Sequence, residues 1–315
     1  MGSTGGRRAV AFAPGHVTGL FVPDLRSPDP RGRGSRGAGL VLELGATAVA
    51  EHFPAKRSAL HVSDAEGSPL PITEEAARHL RPPRSGTVRV RVRHDLPVGQ
   101  GFGMSAAGTL AASIALSRIF DVPRHRAVEV AHLADLFGGG GLGGVPSILG
   151  GGLEVRTVAG VPPWGRVTHR PVDRRILVGV VGRSIPSPGL LHRARFLRRV
   201  SDAASGELDR LGSRPSLESL LDASEGFTDR LALAPPRLRT VLRGLRARGA
   251  RAAQAMFGES FFALASSPAV RRRVVGYLAS TGVRALEVGT AVRGAHPLPL
   301  PAHPGAGPRV ATQAF

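Results

Sequence analysis

The chain has 315 residues, 42% of them apolar and 21% charged, so an ordinary core can be buried and global disorder is excluded. It contains no cysteine, which excludes disulfides, thiolate zinc sites, iron–sulfur ligation and a cysteine nucleophile. The net charge of +19 invites a nucleic-acid reading, yet Lys56 is the only lysine among 42 basic residues and aromatics make up 4%; the charge reads as an arginine-rich coding bias on solvated faces, and nucleic acid is not expected as a partner.

Residues 1–8 show no periodicity and read as a loose tail. Arg8–Ala13 is apolar enough for a strand ending at Pro14 and Gly15. The wider apolar run Ala9–Val22 is broken there and at His16, with no cleavage site behind it, so no leader is expected and the cytoplasm is the expected compartment. No apolar run nears the ~20 residues that cross a bilayer, so no membrane is expected as a partner. Asp24–Arg36 reads as a Pro/Gly/Arg loop, and Gly39–Glu51 as a strand pair or one long bent strand. Thr87–Arg93 (TVRVRVR) alternates apolar and charged residues, the pattern of a half-buried strand. A Gly-rich turn, Pro97–Gly103, leads into an apolar helix over Met104–Phe120, and a second helix over Arg126–Phe137 runs into four glycines. A composition break at Pro162–Pro171 suggests domains over residues 1–165 and 166–293, with an irregular Pro/Gly-rich tail over 294–315. The second half reads as a strand (Ile176–Gly182), helices near Leu190–Ala203, Ser216–Ala232 and Pro236–Arg248, a strand pair around Ala252–Ala265, a helix after Pro268, and a strand over Arg284–Val288. This order gives an α+β, two-domain fold.

The segment Leu96–Gly108, LPVGQGFGMSAAG, carries the most chemistry. Glycines at 99, 101 and 103 let the backbone approach a ligand, and the helix behind them points its free N–H groups at the same place, which makes a phosphate cradle. It fits none of three familiar patterns. A Walker A loop needs a lysine, a dinucleotide fingerprint needs glycine where Met104 stands, and a nucleophile elbow has one residue fewer between Ser105 and Gly108. The run Gly138–Gly144 matches so many glycine patterns that it reads only as a flexible turn. His52, His61, His94, His125 and His192 show no metal-ligand spacing, and Asp95 reads as a structural carboxylate at a strand end.

Three segments together, Pro14 to His16 after the first strand, Pro97–Gly108, and Gly249–Leu264, resemble the three motifs of the GHMP kinases across nearly the whole chain. Within that family, AFAPGHVTGLF (Ala11–Phe21), SRGAGL (Ser35–Leu40), GQGFGMSAAG (Gly99–Gly108) and GGLEVR (Gly151–Arg156) resemble the archaeal pantoate kinase branch. The resemblance implies a two-domain kinase that phosphorylates pantoate with ATP and Mg²⁺ on a route to coenzyme A. It implies ATP contacts at Pro97, Gly99, Gln100, Gly101, Gly103, Met104, Ser105, Ala106 and Ala107. Ser105 and Asp135 would serve catalysis by holding Mg²⁺, with Asp135 standing where the branch usually has the longer Glu. Ser35, Arg36, His132 and Arg156 would contact pantoate, Arg156 clamping both carboxylate oxygens with its planar fork. The partner expected is thus a small molecule, with a homodimer allowed. One position departs from the pattern: Gly144 stands where the branch has the Asp that receives the hydroxyl proton, which implies a slower kinase, a base from elsewhere, or a binding-only regulator. A related kinase for another small hydroxy acid is the remaining alternative.

Overall fold

The structure, a computed structural model, describes residues 6–184, 193–211 and 215–300; the expected helix start at Leu190, His192 and the tail beyond 300 fall outside them. The chain builds two sheets. Its first half supplies β1 (Arg7–Asp24), β2 (Gly34–Phe53), β3 (Ala59–Asp64), β4 (Thr87–His94), β5 (Leu153–Val158) and β6 (Arg166–Arg170). β1, β2 and β4 run side by side and antiparallel, β3 joins β4 in parallel, and β5 pairs with the early part of β2 and carries β6 on its other edge. The first sheet therefore continues to Arg170, past the expected boundary after residue 165.

β1 does not end at Pro14. It runs on to Asp24, with register shifts at Pro14/Gly15 and Thr18/Leu20. A bulge accommodates the missing proline donor and bends the strand, so the residues after it stay in the sheet. β1 is buried almost continuously because helices cover both of its faces. On one side lies α2 (Met104–Ile119), flanked by α1 (Pro71–Leu80) and α3 (Arg124–Phe137); a short turn of helix, α4 (Gly144–Ser147), follows. On the other side lie α5 (Ala194–Leu211) and α6 (Leu217–Leu231). α2 buries nearly its whole circumference, as its apolar sequence requires. α1 was not apparent from the sequence because its buried stripe is built of Thr73, Ala76, Ala77 and Leu80, small residues that give a weak apolar signal.

The second sheet has the order β10-β7-β9-β8, with β7 (Arg175–Ser184), β8 (Arg251–Gln254), β9 (Gly258–Leu264) and β10 (Arg284–Gly289). Alternation along β7 and β9 splits its two faces. Leu177, Val181 and Phe261 join a smaller core under α7 (Pro236–Arg246) and α8 (Pro268–Thr281), whereas Val178 and Phe262 join the main core shared with the first sheet. The chain then returns: β11 (His296–Leu298) pairs antiparallel with β1, Val10 opposite Leu298, where the sequence suggested an irregular tail. This edge strand of proline and leucine has no alternation to announce it.

Candidate active site

The three segments that carried the family resemblance meet at one place. Gly99, Gly101 and Gly103 all have positive φ, and Gly103 begins α2 without a side-chain cap, leaving the first N–H groups of that helix free. The turn after the first part of β1 is fastened to this loop, the His16 N–H donating to the Phe102 carbonyl at 3.0 Å. The second sheet grips it from the other side: Gln100 Nε2 donates to the Gly182 carbonyl at 3.0 Å, and a Cβ on Gly101 would stand 2.5 Å from the Ala255 carbonyl oxygen. Glycine at 101 is thus required both by its φ of +75° and by the close approach of the β8–β9 turn. The loop opens onto a cleft of about 400 Å³.

Across the cleft stands a buried charged cluster. Alternation along β5 puts Glu154 and Arg156 on one face of the strand, and both are buried, with 0% and 2% exposure. Glu154 Oε1 lies 2.9 Å from His16 Nε2 and 2.5 Å from Arg156 Nη1. Arg156 Nη1 also bonds the Ser147 hydroxyl, and Nε donates to the Ser35 carbonyl at 3.3 Å. The Nη2 atom makes none of these bonds; it lies beside Gly37 of β2, where a Cβ would stand 2.9 Å from it. Burial would push the Glu154 carboxyl up, but the Arg156 guanidinium and the His16 hydrogen bond overcome it and hold the group below its ordinary value.

A third wall comes from α3 and the glycine run. Asp135 is buried with Ser105 Oγ donating to its Oδ1 at 3.2 Å, and burial, only partly offset by that bond, pushes its carboxyl up to about 7. The glycine run is not a free turn. A Cβ at Gly140 would stand 2.1 Å from Asp135 Oδ1, and one at Gly143 would stand 2.6 Å from Ser35 Oγ, so the backbone packs directly on the polar groups. Among the described residues no group of three or more His, Asp or Glu side chains could enclose a metal ion. The paired oxygens of Ser105 and Asp135 do fit a Mg²⁺ carried in on phosphate, since that ion commonly takes one or two protein ligands and completes its shell with phosphate and water.

Of the residues expected from the sequence, Gly99, Gly101, Gly103, Met104, Ser105, Ala106, Asp135, Ser35 and Arg156 line this cleft. Others do not. Gln100 turns toward β7 and anchors the loop, Ala107 is sealed in the core under α2, Pro97 lies outside the lining, and Arg36 is exposed. His132 is buried on α3 against the main chain of Pro30 and Arg33, where burial lowers its pKa to about 4; it props the segment leading to Ser35 without lining the cleft. Asp95 is structural as expected, accepting from the Gly45 N–H at 3.0 Å and pairing with Arg93. His16, Thr18, Met256 and Phe257 line the cleft in addition to the residues expected from the sequence. For Glu154 a signal existed, an acid and a base two apart in an otherwise apolar strand.

Residues 71–152 match the GHMP kinases N terminal domain. A pantoate kinase from Thermococcus kodakarensis is 33% identical over 265 residues, covering 81% of this chain and 86% of that protein. One from Methanospirillum hungatei is 28% identical over 82% of this chain and 87% of that protein. Among solved structures, a phosphotransferase related to the CoA biosynthesis pathway superposes with a TM-score of 0.83 at 28% identity, covering 92% of this chain and 98% of that one. A mevalonate kinase from L. major, in complex with R-mevalonate, shares the fold at a TM-score of 0.62 and 14% identity, covering 93% of this chain and 99% of that one. With its cradle, cleft and sequence all in agreement, the chain belongs to the pantoate kinase family of the GHMP kinases.

Proposed function

We propose that the protein transfers the γ-phosphoryl group of ATP to the hydroxyl of pantoate, giving 4-phosphopantoate. The observation that carries this reading is the convergence, in one cleft, of a backbone phosphate cradle and a buried arginine. The cradle's N–H groups and the α2 N-terminus would hold the triphosphate, while Ser105 and Asp135 would hold Mg²⁺, which when bound neutralises charge on the transferring phosphate. Arg156 would receive the acceptor's carboxylate. Because its Nε and Nη1 are already engaged, it offers Nη2 alone, with the Ser35 hydroxyl beside it, where the sequence suggested a two-pronged fork. Little covalent work falls to the protein in such a transfer; its task is to position donor and acceptor in line and keep the charges apart.

The test is ADP release on adding pantoate, set against pantoyl lactone, which lacks the free carboxylate. Pantoate should turn over and the lactone should not, and Arg156→Ala should raise the pantoate KM about a hundredfold, the effect of losing ~2.7 kcal/mol of charge-assisted binding. Equal turnover of acid and lactone would overturn the carboxylate assignment. Faster reaction with homoserine or mevalonate would move the acceptor to another small hydroxy compound.

A further inference from the structure

With no side chain at Gly144, the acceptor's hydroxyl proton needs a different receiver. We propose that His16, oriented by Glu154, takes that proton, and that docking of the acceptor's carboxylate on Arg156 is what makes His16 basic enough to do so; the inference rests on the pantoate kinase reading above.

Position is the first argument. His16 sits at the junction of the two halves of the cleft. Its main chain is tied to the cradle through the Phe102 carbonyl, and its ring lies on the cleft wall with Nε2 on Glu154. An ionised carboxylate can only accept, so Nε2 carries the hydrogen and Nδ1 keeps its lone pair. The polar neighbour of Nδ1 is Thr18 Oγ1 at 3.5 Å, a long contact to another residue of the cleft wall.

Charge is the second argument. The resting cluster holds one guanidinium, one carboxylate and an imidazole. Burial holds the imidazole below its ordinary pKa, the nearby Arg156 adds to that effect, and Glu154 opposes both. His16 is therefore neutral and ready to accept. When a second carboxylate arrives at Arg156, the buried cluster becomes net negative, and a proton on His16 restores neutrality. The low-polarity surroundings make that compensation strong. The other groups facing this ring are few. β6 contributes His169, opposite Glu154 in the strand register, and β2 presents Gly39, which carries no charge, against the ring; Gly103 of the cradle packs on the His16 main chain and Cβ. In the transfer, the acceptor O–H bond breaks and its proton goes to Nδ1. The freed oxygen bonds the γ-phosphorus as the bond from that phosphorus to the bridging oxygen breaks, its electron pair leaving on ADP.

The test counts protons. Calorimetric titration of the full protein with pantoate alone, in two buffers of different ionisation enthalpy, should show only fractional proton uptake near neutral pH, growing as the pH is lowered while kcat falls in step, because a ring already protonated by solvent cannot take the hydroxyl proton. His16→Gln should bind ATP normally, take up no proton, lose the acid limb of the pH–rate profile, and lower kcat ~10²–10⁴-fold, the usual contribution of a general base. Glu154→Gln should also abolish the uptake while pantoate still binds, because Arg156 alone then balances the substrate. No uptake in the parent, equal uptake in either variant, or a His16→Gln kcat within about threefold of the parent overturns the proposal. If His16→Gln does not fold, the parent and Glu154→Gln proton counts decide it. A parent that releases no ADP with pantoate defeats the kinase reading instead, a result distinct from a fast His16→Gln enzyme.

Discussion

At Gly144 the difficulty is neighbours, not backbone. This glycine is not among those with positive φ, so an Asp could adopt its conformation. Its Cβ, however, would stand 2.6 Å from the Cβ of Ala106, on the first turn of α2, and neither atom is the end of a flexible chain. Overpacking of this kind costs ~1–3 kcal/mol. Gly144→Asp alone should therefore lower the melting temperature without raising kcat, and adding Ala106→Gly should recover most of the lost stability, less the ~0.5–1 kcal/mol a helical glycine costs. In the double variant a carboxylate enters the cleft near Asp135 Oδ2, which lies 3.5 Å from the Gly144 Cβ position. If His16 already receives the proton, the parent gains little from it, but a His16→Gln background should gain ~10-fold in kcat, part of a general base's contribution. A single Gly144→Asp variant that is both faster and as stable as the parent would contradict this account of the site. None of this could be read from the sequence, which shows that an Asp is missing but not that Ala106 has closed the space.

At the scale of elements, legibility followed the strength of the local pattern. β4 and α2 were plain because strict alternation and an unbroken apolar run each admit one reading. The sequence of β1 reads as ending at Pro14 because a bulge has no sequence period, and β11 leaves no local signal because its place is decided by a partner strand almost the whole chain away. The cradle loop was legible for the same reason as β4, since its glycines answer a local backbone need. The bond from His16 to Glu154 was not, because it spans 138 residues. α3 shows what such tertiary placement does to ordinary residues. It buries His132 and Asp135 one turn apart and shifts them in opposite directions, to about 4 and about 7. For Asp135 the folded state holds the proton more tightly than the unfolded chain does, so its contribution to stability declines as pH rises from the ordinary 3.8 toward about 7 and stays lost above. Asp135→Asn should thus raise the melting temperature of the unliganded protein, with the increment growing across that window and level beyond it. Thermal scans from acid to mildly alkaline pH test this; an increment that is constant with pH would mean the carboxyl is not shifted by burial.

Over the whole molecule, the basic surplus is partly absorbed by the fold. Arg246 pairs with Glu225 and Asp229, Arg271 with Glu287, and Arg248 stacks on Tyr277, so much of the arginine cluster in the second half ties α6, α7, α8 and β10 together. The two sheets are likewise not independent. One core takes side chains from both, α6 touches β1 and β8, and the cradle loop is held by β1 on one side and by β7 and the β8–β9 turn on the other. A ligand that orders this loop must therefore stabilise both halves at once. ATP at about a hundred times its dissociation constant should add ~2.7 kcal/mol to the folded state, since it binds that state and not the unfolded chain. For a chain of 315 residues that is a rise of about 4 °C, at ~1.5 °C per kcal/mol from an unfolding entropy of ~2.1 cal/mol/K per residue. Calorimetry should show a single transition that moves as a whole, and a Gly101→Val variant, its transition already lowered by the strained φ and the backbone clash at that position, should show no further shift on adding ATP. Two transitions, only one of them shifted by ATP, would mean that the shared core does not couple the sheets and that the cradle belongs energetically to the first sheet alone.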